Sequence, residues 1–278
     1  MLKIFKENKI SIIMWLIFES VAAYLFLTTK NIFYLFNFTY IGTCLALATF
    51  FTSHQKKYAR TFAQFSIGLY MFFYLGIICK ENMQIEGFWY YLFLGVFEGA
   101  TIHYFIAKIV GPLFFGRGWC GYACWTGMVL DLLPYKTSTK RYQKLSWIRY
   151  IFFFLSLITV VSLFVFNISH KDQIMFYLFL AGNLLYYVIG ITLAFILKDN
   201  RAFCKYICPI TVFLKPASNF AYLRVKCDHQ KCIKCQKCLK NCPMNVDILD
   251  NSPKRKNKTE CILCCNCIKN CPQKALKL

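Results

Sequence analysis

The sequence predicts a mainly α membrane protein: a bundle of six transmembrane helices followed by a small, cysteine-rich α+β domain at the C-terminal end. Three observations predict it. The 278 residues are 58% apolar and 19% aromatic but only 16% charged, whereas soluble domains are about a quarter charged. The apolar residues gather in stretches long enough to cross a bilayer, which takes roughly 20 residues of helix. Ten of the 16 cysteines fall between Cys227 and Cys271, in tight repeated clusters that do not suit a secreted disulfide framework.

The expected spans lie near residues 10–27, 32–51, 62–79, 88–110, 148–166 and 174–197. The first follows Lys3, Lys6 and Lys9 like the charged start of a signal peptide. Its apolar run is long and no A-x-A-like cleavage site follows, so it reads as a retained helix. Lys and Arg alternate along the connecting segments as 3, 1, 3, 1, 5, 1 and 17, the last number belonging to the tail from Lys198 onward, which has five acids. Positive charge stays on the cytoplasmic side of a membrane. The alternation therefore predicts a multi-pass protein of the cytoplasmic (inner) membrane, with both termini and the tail in the cytoplasm. It also explains the net charge of +21 by topology, with membrane lipid as a partner and nucleic acid excluded. The expected division is a transmembrane domain over 1–198, a connector over 199–226 and a cysteine-rich domain over 227–278.

The tail repeats itself. Cys232-Ile-Lys-Cys-Gln-Lys-Cys-Leu-Lys-Asn-Cys-Pro returns 29 residues later as Cys261-Ile-Leu-Cys-Cys-Asn-Cys-Ile-Lys-Asn-Cys-Pro, with eight of twelve positions identical. Each copy is C-x2-C-x2-C-x3-C-P, the run that binds [4Fe-4S] clusters in two-cluster bacterial ferredoxins. Three thiolates on one short loop can cap three irons of a cubane; the fourth, on the helix that follows, reaches the other cluster. Cluster I is thus assigned to Cys232, Cys235, Cys238 and Cys271, and cluster II to Cys261, Cys264, Cys267 and Cys242. Structural zinc prefers C-x2-C pairs separated by a longer spacer, so the domain is expected to be ferredoxin-like with two [4Fe-4S] clusters. Cys227 and Cys265 read as spare thiols, although Cys265 could replace Cys264 after a slip of register.

Two further pairs lie at expected cytoplasmic helix ends. Arg117-Gly-Trp-Cys120 continues to Cys124, and Arg201-Ala-Phe-Cys204 continues to Cys208-Pro209. A spacing of four puts both thiols of a pair on one helical face, and the repeated R-x2-C-x3-C unit suggests that Cys120, Cys124, Cys204 and Cys208 meet as one additional metal site. Buried structural cysteine is the alternative. Within the spans, Glu19, Glu98 and His103 are ionisable, which in a membrane points to a quinone site or proton relay; haem is not expected, since His103 stands alone there.

Over residues 88–278 this set of motifs resembles the NapH-type membrane polyferredoxins, relatives of accessory proteins of nitrous oxide reductase and of cytochrome oxidase assembly. In that family the pairs are C-x3-C-P. Pro209 follows Cys208, but Trp125 follows Cys124, a departure that bears on the first pair. A flavin-binding outer domain like that of the nitrous-oxide relatives is not expected here. The resemblance implies a membrane-bound iron–sulfur protein relaying electrons between cytoplasmic or quinone donors and a partner redox protein, as an electron-transfer subunit more than a stand-alone oxidoreductase. Two rival roles are a metal-handling or assembly factor that reduces a metal for insertion into a partner enzyme, and a redox-sensing regulator.

Overall fold

The computed structural model describes residues 8–54, 56–97, 100–137 and 141–278, and the chain is mostly helical. Among the described residues, five helices are long and apolar enough to cross a membrane: α1 (Lys9–Thr29), α2 (Ile32–Ser53), α3 (Ala59–Ile78) and, further along the chain, Gln143–Val165 and Lys171–Leu197. Antiparallel α1 and α2 pack closely because Gly42 lies under Phe18, where any Cβ would overlap the ring carbon stem. The buried face of α1 is thin, whereas that of α2 is as broad as that of α3. The window of α1 that best fits a membrane is 11% buried inside the protein, so most of its apolar surface faces outward.

The expected fourth span, 88–110, is not one helix. Beyond α3 the chain turns back into the bundle, and Asn82, Met83 and Gln84 are 1%, 1% and 2% exposed. The Asn82 side chain donates to the Met175 carbonyl at 3.0 Å and accepts from the Gln84 amide at 3.0 Å. The short helix α4 (Ile85–Phe93) then runs back towards Asp172, which takes the Tyr90 hydroxyl at 2.8 Å. It ends at Gly95, where φ is +70° and Val96 N reaches back to the Tyr91 carbonyl. This is a left-handed helix stop for which glycine is suited. Glu98 lies outside the described residues. Helix α5 (Thr101–Phe115) returns beside α4, with Phe88 stacked on Tyr104 at 5.2 Å and the Tyr104 hydroxyl donating to the Met83 carbonyl. Its middle, Phe105–Val110, is wound as a π-helix. Apolar character alone could not separate one span from this folded-back pair, because Leu94, Val96 and Phe97 are themselves apolar.

Two short helices follow α5: α6 (Gly118–Tyr122) and α7 (Trp125–Leu130). Next come the two remaining spans, here α8 (Ile148–Val165, entered through the 3₁₀ turn Gln143–Trp147) and α9 (Lys171–Leu197). They lead to α10 (Ala202–Tyr206) and α11 (Thr211–Ser218). The tail closes with strand β1 (Lys226–Cys227) paired antiparallel to β2 (Leu276–Lys277), enclosing two one-turn helices, α12 (Lys237–Lys240) and α13 (Asn266–Lys269). The tail is not tethered loosely. One apolar core runs from Tyr186 in α9 through Phe203, Cys204, Val225, Met244 and Ile262 to Leu276. Burial of this kind stabilises by about 25 cal/mol per Å2, which joins tail and membrane bundle into one body.

Candidate redox centres

The two cysteine runs fold alike because the same positions take the same backbone conformations. Lys234 and Leu263, Gln236 and Cys265, and Asn245 and Lys274 occupy equivalent places, and all six have φ between +48° and +59°. Left-handed backbone is uncommon outside glycine and is a strain found at functional sites. Here it curls each loop so that its thiols face inward and its amides can point at an anion. The fourth cysteine of each run is also treated alike. Val246 N donates to the Cys242 sulfur at 3.4 Å, and Ala275 N to the Cys271 sulfur at 3.3 Å.

The loops enclose two cavities. Cys232, Cys235 and Cys238 share one of them with Cys271; Cys261, Cys264 and Cys267 share the other with Cys242. Each therefore gathers three cysteines of one repeat and the last cysteine of the other. Apolar groups such as Leu249 and Ala275 in the first, and Val246 and Ile248 in the second, line the remainder. Cys265 also borders the second cavity, but its sulfur hydrogen-bonds the Leu263 carbonyl at 3.2 Å. Cys227 is buried beneath the first set, with its backbone clamped by the Asn251 side chain.

The second cavity rests on the membrane bundle. Arg117 N donates to the Cys261 carbonyl at 3.1 Å, and the Tyr122 hydroxyl to the Leu263 carbonyl at 3.1 Å. Gly116 sits in a left-handed bend with φ +55°, and Gly121 lies so close to Ile262 that a Cβ would overlap its carbonyl oxygen. Beside this contact, Glu260 is 1% exposed and meets four cations: Arg117, Arg141 at 2.8 Å, Lys215 at 3.4 Å and Arg149 at 3.6 Å. Burial pushes its carboxyl up, but the four cations outweigh burial and hold it at about 2.

Cys120, Cys124, Cys204 and Cys208 come together directly below. All are buried or half-buried, and each thiol lies within electrostatic reach of the other three. Arg201 links the pairs: it donates to the Cys120 carbonyl at 3.1 Å and to the Cys204 sulfur at 3.7 Å, while its main anchor is Asp131 at 2.8 Å. Arg117 binds the Cys204 carbonyl at 3.1 Å as well as Glu260. The two arginines thus spend most of their charge on carboxylates. Among the described residues, no three cysteine, histidine or acidic side chains gather tightly enough to hold a single metal ion. Burial raises the Cys204 thiol to about 11 and the Cys261 thiol to about 12. Without a cation they are neutral thiols; a bound iron–sulfur core would displace their protons, as metals do at cysteine sites. The donor sets fit such a core.

The departure at Trp125 has a local explanation. Cys124 caps α7, its sulfur accepting from Gly127 N at 3.4 Å. Trp125 takes the first helical position, where proline is favoured but not required, and its indole N–H donates to the Asn183 side chain at 2.7 Å.

Of the expected intramembrane groups, Glu19 accepts from Thr39 between α1 and α2 at 2.9 Å. His103 packs on Trp119 with ring centroids 4.8 Å apart, and its Nε2 is buried without a hydrogen-bond partner. Sequence reasoning missed Gln84, whose side-chain amide is buried with neither atom paired, and Glu86, whose Oε2 is buried and unpaired. It also missed Lys108, 4% exposed, its ammonium 4.7 Å over the Trp119 ring. Tyr104 and Tyr186 each lie within electrostatic reach of both Glu86 and Cys208, placing this polar tip beneath the thiols. Lys108 was visible as a charge inside an apolar run, a functional signal in a membrane segment.

Residues 100–142 and 180–222 both match the family described as 4Fe-4S binding domain, and residues 224–272 match the 4Fe-4S dicluster domain. The chain is similar to two uncharacterized proteins of Methanocaldococcus jannaschii. One is 29% identical over 168 residues, covering 55% of this chain and 69% of the relative. The other is 29% identical over 187 residues, covering 63% and 70%. No solved structure matches. The iron–sulfur domains support metal binding and electron transport, and together with the five long apolar helices they fit a membrane iron–sulfur protein.

Proposed function

We propose that this chain is a membrane-bound relay of the NapH type, taking electrons between cytoplasmic or quinone donors and a partner redox protein. The observation that carries the reading is the pair of cavities, each combining three cysteines of one repeat with the fourth of the other. In this reading Cys232, Cys235, Cys238 and Cys271 hold one [4Fe-4S] cluster, and Cys261, Cys264, Cys267 and Cys242 the second, in a ferredoxin-like α+β domain. Such clusters, when bound, accept and release single electrons. The chain's own part is to exclude water around the inner set, to donate amides to the thiolates, and to hold that set against the membrane bundle through Arg117, Tyr122 and Glu260.

We read the bundle as six crossings with both termini in the cytoplasm, α5 making the fourth crossing and α4 standing as a folded-back insert. The experiment that tests the function is iron and acid-labile sulfide analysis of the purified protein with EPR of the reduced state. About eight irons and eight sulfides are expected for two cubanes; stoichiometric zinc without sulfide would end the reading.

The convergence of Cys120, Cys124, Cys204 and Cys208 favours a second reading alongside it. The four thiols beneath the inner cavity are not drawn tightly enough for a single metal ion; brought closer, they would serve a further metal centre, either a third step of the relay or the place where a metal is reduced for delivery to a partner enzyme. Both matched 4Fe-4S binding segments contain one of these pairs. Metal analysis that finds copper or another non-iron metal in addition to the iron would favour metal handling.

A further inference from the structure

The two cysteine repeats are near copies, yet they face opposite ways. Ile233 is 61% exposed and its counterpart Ile262 is 2% exposed. Lys234 is exposed where Leu263 is buried; Gln236 and Lys237 are exposed where Cys265 and Asn266 are half-buried. Cys235 is exposed and Cys264 is not. The four positions at which the runs differ in sequence include these three, so the divergence follows the surroundings. Leu263, Cys265 and Asn266 belong to the loop seated on α6, and Lys234, Gln236 and Lys237 to the loop turned away from it.

Around the outward loop, Lys231, Lys234, Lys237 and Lys240 are all exposed, and among the described residues none of them enters an ion pair. The neighbouring acid, Asp228, is half-buried and turned to the Gln230 amide at 3.1 Å. The surface is thus an exposed apolar residue and the rim of a cysteine-lined cavity, encircled by unpaired lysines. Electron-transfer encounters use small, transient interfaces, steered by opposite charge and losing speed and strength with salt. An apolar centre inside a charged rim is the usual anatomy of such a contact.

We propose that the face formed by Lys231, Ile233, Lys234, Cys235 and Lys237 is the docking surface for a soluble, acidic, one-electron carrier protein. The proposal rests on the electron-relay reading and assigns its two ends. One electron passes between the carrier and the outward cysteine set, one partner losing the electron the other gains, with no bond made or broken. The inward set is the one seated on the membrane bundle, where Arg117 and Tyr122 hold the Cys261 and Leu263 carbonyls.

The test uses the full chain in nanodiscs and an acidic plant-type [2Fe-2S] ferredoxin as probe. Binding of the probe should weaken roughly tenfold or more between 50 and 200 mM salt, as expected for several charge contacts. The double variant Lys234→Glu, Lys237→Glu should weaken it about as much at low salt. Lys56→Glu with Lys57→Glu, on an exposed loop elsewhere, should leave it unchanged. Salt-independent binding, or equal loss in both variants, overturns the proposal. So does a defect of the first variant seen only as weaker association with phosphatidylglycerol bilayers, which would assign the lysines to lipid. Reduction by methyl viologen, followed by EPR, reads the clusters without the docking face. Its failure would sink the relay itself, whereas its success with no specific probe binding would sink only this surface.

Discussion

Arg117 and Glu260 form an ion pair in which neither side chain is more than 1% exposed. The arginine opens the turn that carries Cys120, and the glutamate immediately precedes Cys261. One contact therefore fixes the four-thiol cluster to the inner ferredoxin cavity, and Arg141, Arg149 and Lys215 close around the same carboxylate.

Glu260→Gln should loosen the tail from the membrane bundle. It leaves three arginines and a lysine facing one another in a buried place, and removing one member of a buried pair costs about 3–5 kcal/mol. Thermal unfolding and hydrogen exchange over 224–278 would measure it. Acid should act on the same contact. The folded carboxyl is held at about 2 against an ordinary value of 4.5, so its contribution is complete above 4.5 and lost as pH falls towards 2. In Glu260→Gln the stability of this interface should lose that part of its acid dependence. An unchanged acid profile would show that Glu260 does not hold the interface.

Cys242→Ala should damage the centre of the second repeat, and Cys271→Ala that of the first. Each cavity borrows its fourth cysteine across the domain. EPR of the reduced single variants reads this directly. Loss of the signal belonging to the mutated cysteine's own repeat would mean that the cavities do not correspond to the ligand sets.

The sequence leads to these groupings because four cysteines within eleven residues restrict which sulfurs can share a cluster, and each cavity is lined by one such grouping. The helices α1, α2, α3, α8 and α9 were legible from their long apolar runs. The fold-back between Cys79 and Thr101 was not: its polar start, Lys80 to Glu86, reads as an ordinary loop, and Gly95 interrupts the apolar run that follows only as a single glycine, which is a weak stop signal. The importance of Glu260 was equally hidden. A glutamate beside a cysteine run looks solvated until Arg117, 143 residues earlier in the chain, is placed against it. Lys108 was readable as a charge inside an apolar run, but its nearness to Cys120, Cys124 and Cys208 depends on tertiary packing.

The folded-back segment changes the expected labelling pattern. Single cysteines placed at residues 97 and 170 should react with a membrane-impermeant maleimide from outside, and those at residue 57 and the C-terminus from the cytoplasm. A cysteine at residue 83 should resist both, because Met83 is 1% exposed within the bundle. Ready outside labelling at 83 would restore the simpler picture of an outer loop followed by one uninterrupted span. A C-terminus reactive from outside would overturn the orientation read from the loop charges.

The last prediction concerns the thiols beneath the inner cavity. Cys204 and Cys208 lie within electrostatic reach of Cys120 and Cys124, though 84 residues separate Cys120 from Cys204 (204 − 120). Burial disfavours their thiolate forms, and the nearby arginines are already committed to Asp131 and Glu260. If the four serve only as packing, Cys204→Ser should behave like Cys44→Ser, a change at another buried cysteine that lines neither cavity. If they hold metal, Cys204→Ser and Cys208→Ser should remove metal bound beyond the roughly eight irons of two cubanes. The EPR signals of the two ferredoxin centres should survive, while electron transfer through the membrane bundle falls. The readout is metal content and EPR on the same sample, with Cys44→Ser as the reference. Equal metal content in all the variants and the unaltered protein would reduce the four thiols to a structural cluster. The relay would then have to pass from the inner cavity to the bundle by another route.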